Sequence, residues 1–260
     1  MIITRRQHPL LKELRDLRDH PNPDLLFLEG PKLVDEALQA SIHLKTLILA
    51  DDYKDQGSLA ERARKSAEST FSISGSIFRS ISDLVEPQGI LAIGERPHWS
   101  WERLLAKSPA PIVILDGLQN PGNVAAVLRT AEAAGAAGVV TTPGTARLTG
   151  PKALRGASGS ALRVPHLEHL SPKAIVEHLA KAGYKLYTAD RQGDQAVLYT
   201  DLDWKQPIAM VLGQEGNGVS AEWNAAVVKI PMEDPVESLN VGVAAAVLLY
   251  ESYRQRKNQK

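Results

Sequence analysis

From Pro111 onward the chain alternates short apolar runs with helical segments, a pattern that leaves few folds open. PIVILD, GVVTT, KLYTA, PIAMVLG and VVKIPM read as strands. Between and after them lie NVAAVLRTAEAAG, SPKAIVEHLAKAG, a stretch near 220 to 226 expected to form a short helix, and a closing apolar helix from Leu239. Strands of nearly continuous apolar character are buried on both faces, so the alternation predicts an α/β fold with a mainly parallel sheet covered on either side by helices. In such sheets ligands sit beyond the carboxyl ends of the strands. The loops after LD, TA, LG and IPM are therefore where chemistry is expected.

The residues before this alternation form a smaller α/β unit. LLFLEG (25 to 30), PKLVDEALQA and LKTLILA (44 to 50) read as strand, helix and strand, with Pro31 at the first helical turn. A helix near 57 to 67, the strand FSIS, a short helix near 76 to 84 and the strand GILAIG (89 to 94) complete it. The stretch ERPHWSWERLLAKSPAP has three prolines and no sustained period, and reads as a linker. The expected organisation is a first domain at 1–97, a linker at 98–110 and a second domain at 111–260.

Composition excludes several chemistries. The chain has no Cys, which removes disulfides, thiolate metal sites and thiol nucleophiles. The charged N-terminus MIITRRQHPLLKELRD lacks a signal-peptide core, which points to a cytoplasmic protein. The longest apolar run, VGVAAAVLLY, is about half of the ~20 residues a membrane span requires, and suits a core or a subunit interface. A net charge of +0 argues against coating nucleic acid by bulk charge. Yet between Glu132 and Glu168 there is no acidic residue, while Arg147, Lys152, Arg155 and Arg163 fall in that window. It is either a phosphate-facing surface or a segment neutralised by neighbours in space.

Single residues in the loops carry two readings each. Arg129 sits in a helix of Ala, Val and Leu, where a guanidinium is costly unless an anion meets it. An i,i+3 pair with Glu132 is the plainer account. Asn123 and Ser238 are site groups or helix N-caps, and Asn240 the same. The loop LGQEGNGVS lets backbone approach a ligand at Gly213, Gly216 and Gly218, with Glu215 its only acid. Its G-x-G does not make a nicotinamide fingerprint, because the unit falls near the chain end and the next strand finishes at Pro231. HLEH, with His166 and His169, has no further ligand nearby and reads as surface rather than a metal site. Without metal cluster, thiol or Ser-His-Asp order, a site of Asn, Arg, Glu and Ser suits direct displacement on an activated substrate, driven by positioning and electrostatics.

NPGNVAAVLRTAEAAG, MVLGQEGNGVS and IPMEDPVESLNVGVAAAVLLYE, in that order, resemble the three signature motifs of the SpoU (TrmH-like) branch of the SPOUT RNA methyltransferases. FLEGPKLVDEAL and SDLVEPQGILAI resemble the small L30e-like substrate-binding domain that many members carry. The resemblance implies S-adenosylmethionine-dependent methylation of a ribose 2′-hydroxyl in structured RNA, with 23S ribosomal RNA favoured over transfer RNA, and no metal. It implies a homodimer and a deep trefoil knot in the C-terminal α/β domain. Motif by motif it places the catalytic groups on Asn123, Arg129, Glu215, Ser238 and Asn240, and the donor contacts on Gly213, Gly216, Ile230, Met232 and Leu239. Arg147, Lys152 and Arg155 become the expected RNA contacts. Gly242 departs from the pattern, standing where many relatives have Ser. The alternatives are a transfer-RNA enzyme and a non-catalytic RNA-binding or ribosome-assembly factor of the same fold.

Overall fold

The computed structural model describes residues 2–20, 22–55, 57–190, 196–214, 218–220 and 222–257. Two compact units emerge, Met1–His98 with Thr149–Leu162, and Trp99–Leu148 with Arg163–Lys260.

The first unit contains β1 (Ile2–Ile3), α1 (Pro9–Asp19), β2 (Leu25–Glu29), α2 (Pro31–Gln39), β3 (Leu44–Ala50), α3 (Leu59–Ser66), β4 (Ala67–Ile73), α4 (Gly75–Ile81) and β5 (Ile90–Glu95). Helix α1 starts with Pro9 at its first turn, and its Leu11, Leu14 and Leu17 recur at helical spacing and are all buried. They pack with Phe27, Ile48, Phe78 and Ile93 in the core of this unit. The sheet order is β1-β4-β3-β5-β2, with β5 antiparallel to both its neighbours. Gly30, at φ 96, turns the chain from β2 into α2 in a conformation that side chains rarely adopt.

In the second unit the chain runs through α5 (Trp101–Leu105), β6 (Ile112–Leu115), α6 (Pro121–Ala133) and β7 (Gly138–Thr141). Next come α7 (Pro151–Ala157) and α8 (Ser160–Arg163), then β8 (His166–Leu167), α9 (Pro172–Lys181), β9 (Lys185–Ala189), β10 (Val197–Leu198), β11 (Ile208–Leu212), β12 (Ala226–Lys229) and α10 (Val241–Lys257). Helix α7 and most of α8 belong to the first unit, where α7 packs against β2. The seven strands pair in the order β10-β12-β9-β11-β6-β7-β8, all parallel, as the apolar runs required. Strand β11 enters between β6 and β9, both already laid down earlier in the chain.

Three local expectations change. The linker stretch holds a short helix, α5, whose Leu104 is buried. The acid-free basic window, to which the sequence reading assigns no helix, holds α7 and α8, with α7 begun by Pro151 after Gly150. Near 220 to 226 the described residues form no helix; the N–H groups of Ser220 and the Trp223 ring point instead to a buried carboxylate described below. Among the described residues, no helix is long and apolar enough to cross a membrane.

Helix α10 buries Val241, Ala245, Leu248 and Leu249, yet leaves Val243, Tyr250 and Tyr253 exposed. It is thus apolar on two faces, of which this chain covers one. Gly242 explains part of the close fit. A Cβ there would lie 2.9 Å from the Cβ of Ala126 on α6. Placing a serine there, Gly242→Ser, should therefore lower stability by about 1–3 kcal/mol through overpacking, measured by chemical denaturation.

Candidate active site

The carboxyl ends of β9, β11 and β12 and the approach to α10 enclose a cavity of about 390 Å³. Its walls include Leu212, Gly213, Val228, Ile230, Met232, Ser238 and Leu239. The strands end there because parallel pairing brings their carboxyl ends to one edge, where the loops diverge. Ile230, Met232 and Leu239 lie outside helices and strands, so the lining combines apolar side chains with loop main chain. Asp190, Gln214, Glu237 and Ser238 supply its polar side chains. A volume of this size suits a nucleoside-sized ligand. The chemistry of the lining also fits S-adenosylmethionine, with Leu212, Val228, Ile230 and Leu239 offering apolar surface to a base, and two carboxylates within reach of cationic groups.

The asparagines resolve their two readings. Asn120, not Asn123, caps α6, its side chain accepting from the N–H of Gly122 at 2.8 Å. Asn123 lies inside the first turn and receives a hydrogen bond from Asn240 Nδ2 at 3.0 Å. Asn240 also caps α10, accepting from Gly242 N–H at 3.0 Å, which removes the capping role expected of Ser238. Ser238 is exposed and lines the cavity. Neither asparagine lines the cavity; Asn240 adjoins it along the chain, between the lining residues Leu239 and Val241.

Arg129 is different. It is not buried among methyl groups but exposed on α6, about 9 Å along the axis from Asn123 at helical rise. Nor does it pair with Glu132. Arg163 takes that carboxylate in a fork, at 2.6 and 3.1 Å. Arg129 does not line the cavity. Glu215 and Gly216 fall outside the described residues.

A group that the residue-by-residue reading passed over organises these loops. Asp116, the D of the LD at the end of β6, is buried and accepts from Ser220 N–H at 2.8 Å, Trp223 Nε1 at 2.9 Å and Thr142 Oγ1 at 2.9 Å. Burial pushes its carboxyl pKa up, but the hydrogen bonds from Ser220, Trp223 and Thr142 outweigh it and hold the pKa below the ordinary value. A depressed folded pKa adds stability that is complete above the unfolded value near ~4 and is lost as pH falls through the folded one. On acidification below about pH 4, wild type should therefore lose thermal stability more steeply than Asp116→Asn, as read by melting curves. Its only advance signal was position, a lone acid closing an apolar strand.

Two cations of the acid-free window are neutralised by neighbours in space, as one of its readings expected. Arg163 is held by Glu132, and Arg155 meets Asp83 at 2.6 Å. Lys152 and Arg147 are exposed. His166, expected on the surface, is 2% exposed, with Nδ1 2.9 Å from the Val164 carbonyl; it is a satisfied core histidine.

Comparison with known proteins places this geometry. The SpoU rRNA Methylase family profile matches residues 110–250, more than half of the chain. The chain belongs to the SpoU rRNA methylase family. That match contains Asn123, Arg129, the cavity residues and Asn240, and a second profile, the MRM3-like substrate binding domain, matches residues 9–92. An uncharacterised tRNA/rRNA methyltransferase of Synechocystis is 31% identical over 98% of this chain and 94% of its own. The Bacillus subtilis 23S rRNA (guanosine(2553)-2′-O)-methyltransferase RlmP is 30% identical over 92% of each chain. Among solved structures, an AdoMet-bound rRNA methyltransferase from Sinorhizobium meliloti aligns with a TM-score of 0.82 at 25% identity, covering 98% of this chain and 97% of that one. An RNA 2′-O ribose methyltransferase aligns at 0.79 and 30% identity, covering 99% and 100%. The SpoU chain described here thus has a SPOUT methyltransferase fold with an N-terminal substrate-binding domain.

Proposed function

We propose that this SpoU protein transfers a methyl group from S-adenosylmethionine to the 2′-hydroxyl of one ribose in 23S ribosomal RNA, in the cytoplasm. The observation that carries the reading is the cavity at the carboxyl ends of β9, β11 and β12, lined by Gly213, Ile230, Met232, Ser238 and Leu239, with Asn240 next in the chain and hydrogen-bonded to Asn123. When bound, S-adenosylmethionine supplies an electrophilic methyl group. Asn123 and Ser238 position the ribose, and Asn240, hydrogen-bonded to both Asn123 and the start of α10, holds the loop geometry with Glu215. Arg129 acts on the partner subunit's substrate in a homodimer, for which the exposed apolar face of α10 provides contact surface. A guanidinium is no base at neutral pH. It instead orients RNA phosphate and stabilises the negative charge developing on the 2′-oxygen as its proton leaves to phosphate or water.

RNA is held through the exposed cations. Lys152→Ala should weaken RNA binding and reduce the slope of log affinity against log salt by about one, whereas Arg155→Ala should do less, because Asp83 already meets that charge. An unchanged slope for Lys152→Ala would mean no phosphate contact there.

The reading is tested by incubating the protein with radiolabelled S-adenosylmethionine and, separately, unmodified 23S ribosomal RNA and transfer RNA. Label in the ribosomal RNA is expected. Label in transfer RNA alone would reassign the substrate, no label in either despite donor binding would point to another substrate such as an assembly intermediate, and no donor binding at all would favour the non-catalytic RNA-binding factor.

A further inference from the structure

Three loops of the second unit meet at one buried carboxylate. Asp116 follows β6, Thr142 follows β7, and Ser220 and Trp223 follow β11. Thr142 Oγ1 donates to Asp116 and in turn accepts from Gly117 N–H at 3.0 Å. The Gly117 carbonyl accepts from Gln214 Nε2 at 2.7 Å. The Asp116 main chain closes the circuit, donating its N–H to the Leu212 carbonyl at 2.9 Å. Leu212, Gly213, Gln214 and Gly218 line the cavity, while Ser220 and Trp223, a few residues further on, are anchored to the carboxylate. Asp116 itself does not touch the cavity.

We propose that Asp116 is a positioning residue for the methyl donor, setting the shape of the cavity wall at Leu212–Gln214 and Gly218 through Ser220, Trp223 and Thr142. A carboxylate is the side chain that fits, because all three groups facing it donate and an ionised carboxylate only accepts. An amide of the same shape loses the charge that strengthens these bonds, and with its oxygen kept on Ser220 and Trp223 it turns its NH2 to Thr142 Oγ1, which must then accept and send its own proton to a carbonyl no nearer than 3.5 Å. The wall it displaces belongs to the donor cavity. This inference rests on the donor reading above, and its test separates the two.

Donor affinity is measured by calorimetric titration of S-adenosylmethionine into wild type, Asp116→Asn and Trp223→Phe, at a temperature where circular dichroism shows each folded. Steady-state kinetics at saturating RNA accompany it. Asp116→Asn should raise the donor Kd and the donor KM about tenfold or more while kcat changes less than about twofold, and Trp223→Phe, which removes one of the three donors, should raise both about threefold. A carboxylate serving stability alone predicts the opposite split, with kcat reduced in proportion to the folded fraction and Kd unchanged. Folded Asp116→Asn binding donor within twofold of wild type overturns the proposal. If that variant does not fold, Trp223→Phe decides, and an unchanged Kd there overturns it equally. Wild type that binds no donor at all overturns the reading on which this rests.

Discussion

Arg129→Ala should lower turnover by about two to three orders of magnitude while leaving donor binding and dimerisation intact, the signature of a contact made in the transition state. The substitution is benign to the fold. Arg129 is exposed on α6, and alanine is the better helix former. The one local role sequence offered it, a pair with Glu132 worth about 0.2–0.5 kcal/mol, is filled by Arg163. An exposed cation with its nearest helical acid already occupied has no structural duty whose loss would mimic a catalytic one. Dimerisation followed by sedimentation, donor affinity and single-turnover rate together check the claim. Unchanged turnover would remove Arg129 from the reaction.

Gly213→Ala should weaken donor binding by at least about 100-fold, measured by equilibrium dialysis with labelled donor. A Cβ at Gly213 would fall 2.1 Å from the carbonyl oxygen of Gly218 and 2.5 Å from the Val219 nitrogen. Both obstacles are backbone and cannot rotate away. Gln214 and Gly218 exchange two hydrogen bonds, at 2.9 and 3.0 Å, across this same turn, so a methyl group there forces the bridge open. The cavity wall moves with it. Donor affinity within twofold of wild type would mean that this wall does not touch the donor.

The sheet was legible because burial on both faces leaves a continuous apolar run for each major strand, and a parallel sheet follows from helices between them. Strands β8 and β10 were not legible, since two residues carry no period. The stretch after β11 was misread as helix near 220 to 226, because its register is set by a carboxylate about a hundred residues earlier, which no local pattern records. The asparagines show the same limit from the other side. Asn120 and Asn123 are both good N-caps by type, and only the fold shows that Asn120 caps the helix while Asn123 accepts from Asn240, just before α10. Motif order located Gly213, Ile230, Met232, Ser238 and Leu239 together, whereas Asp190, outside all three motifs, joined them only through folding. The cations of the acid-free window depended on partners far along the chain, Asp83 for Arg155 and Glu132 for Arg163.

The central claim is that the transferred methyl group arrives on a ribose oxygen. The measurement that tests it most directly is nucleoside analysis of 23S ribosomal RNA after reaction with labelled S-adenosylmethionine, by complete digestion and mass spectrometry, with alkali resistance locating the modified linkage. One 2′-O-methylated nucleoside at one alkali-resistant linkage is the predicted result. Label on a base, with every linkage alkali-labile, would contradict the account.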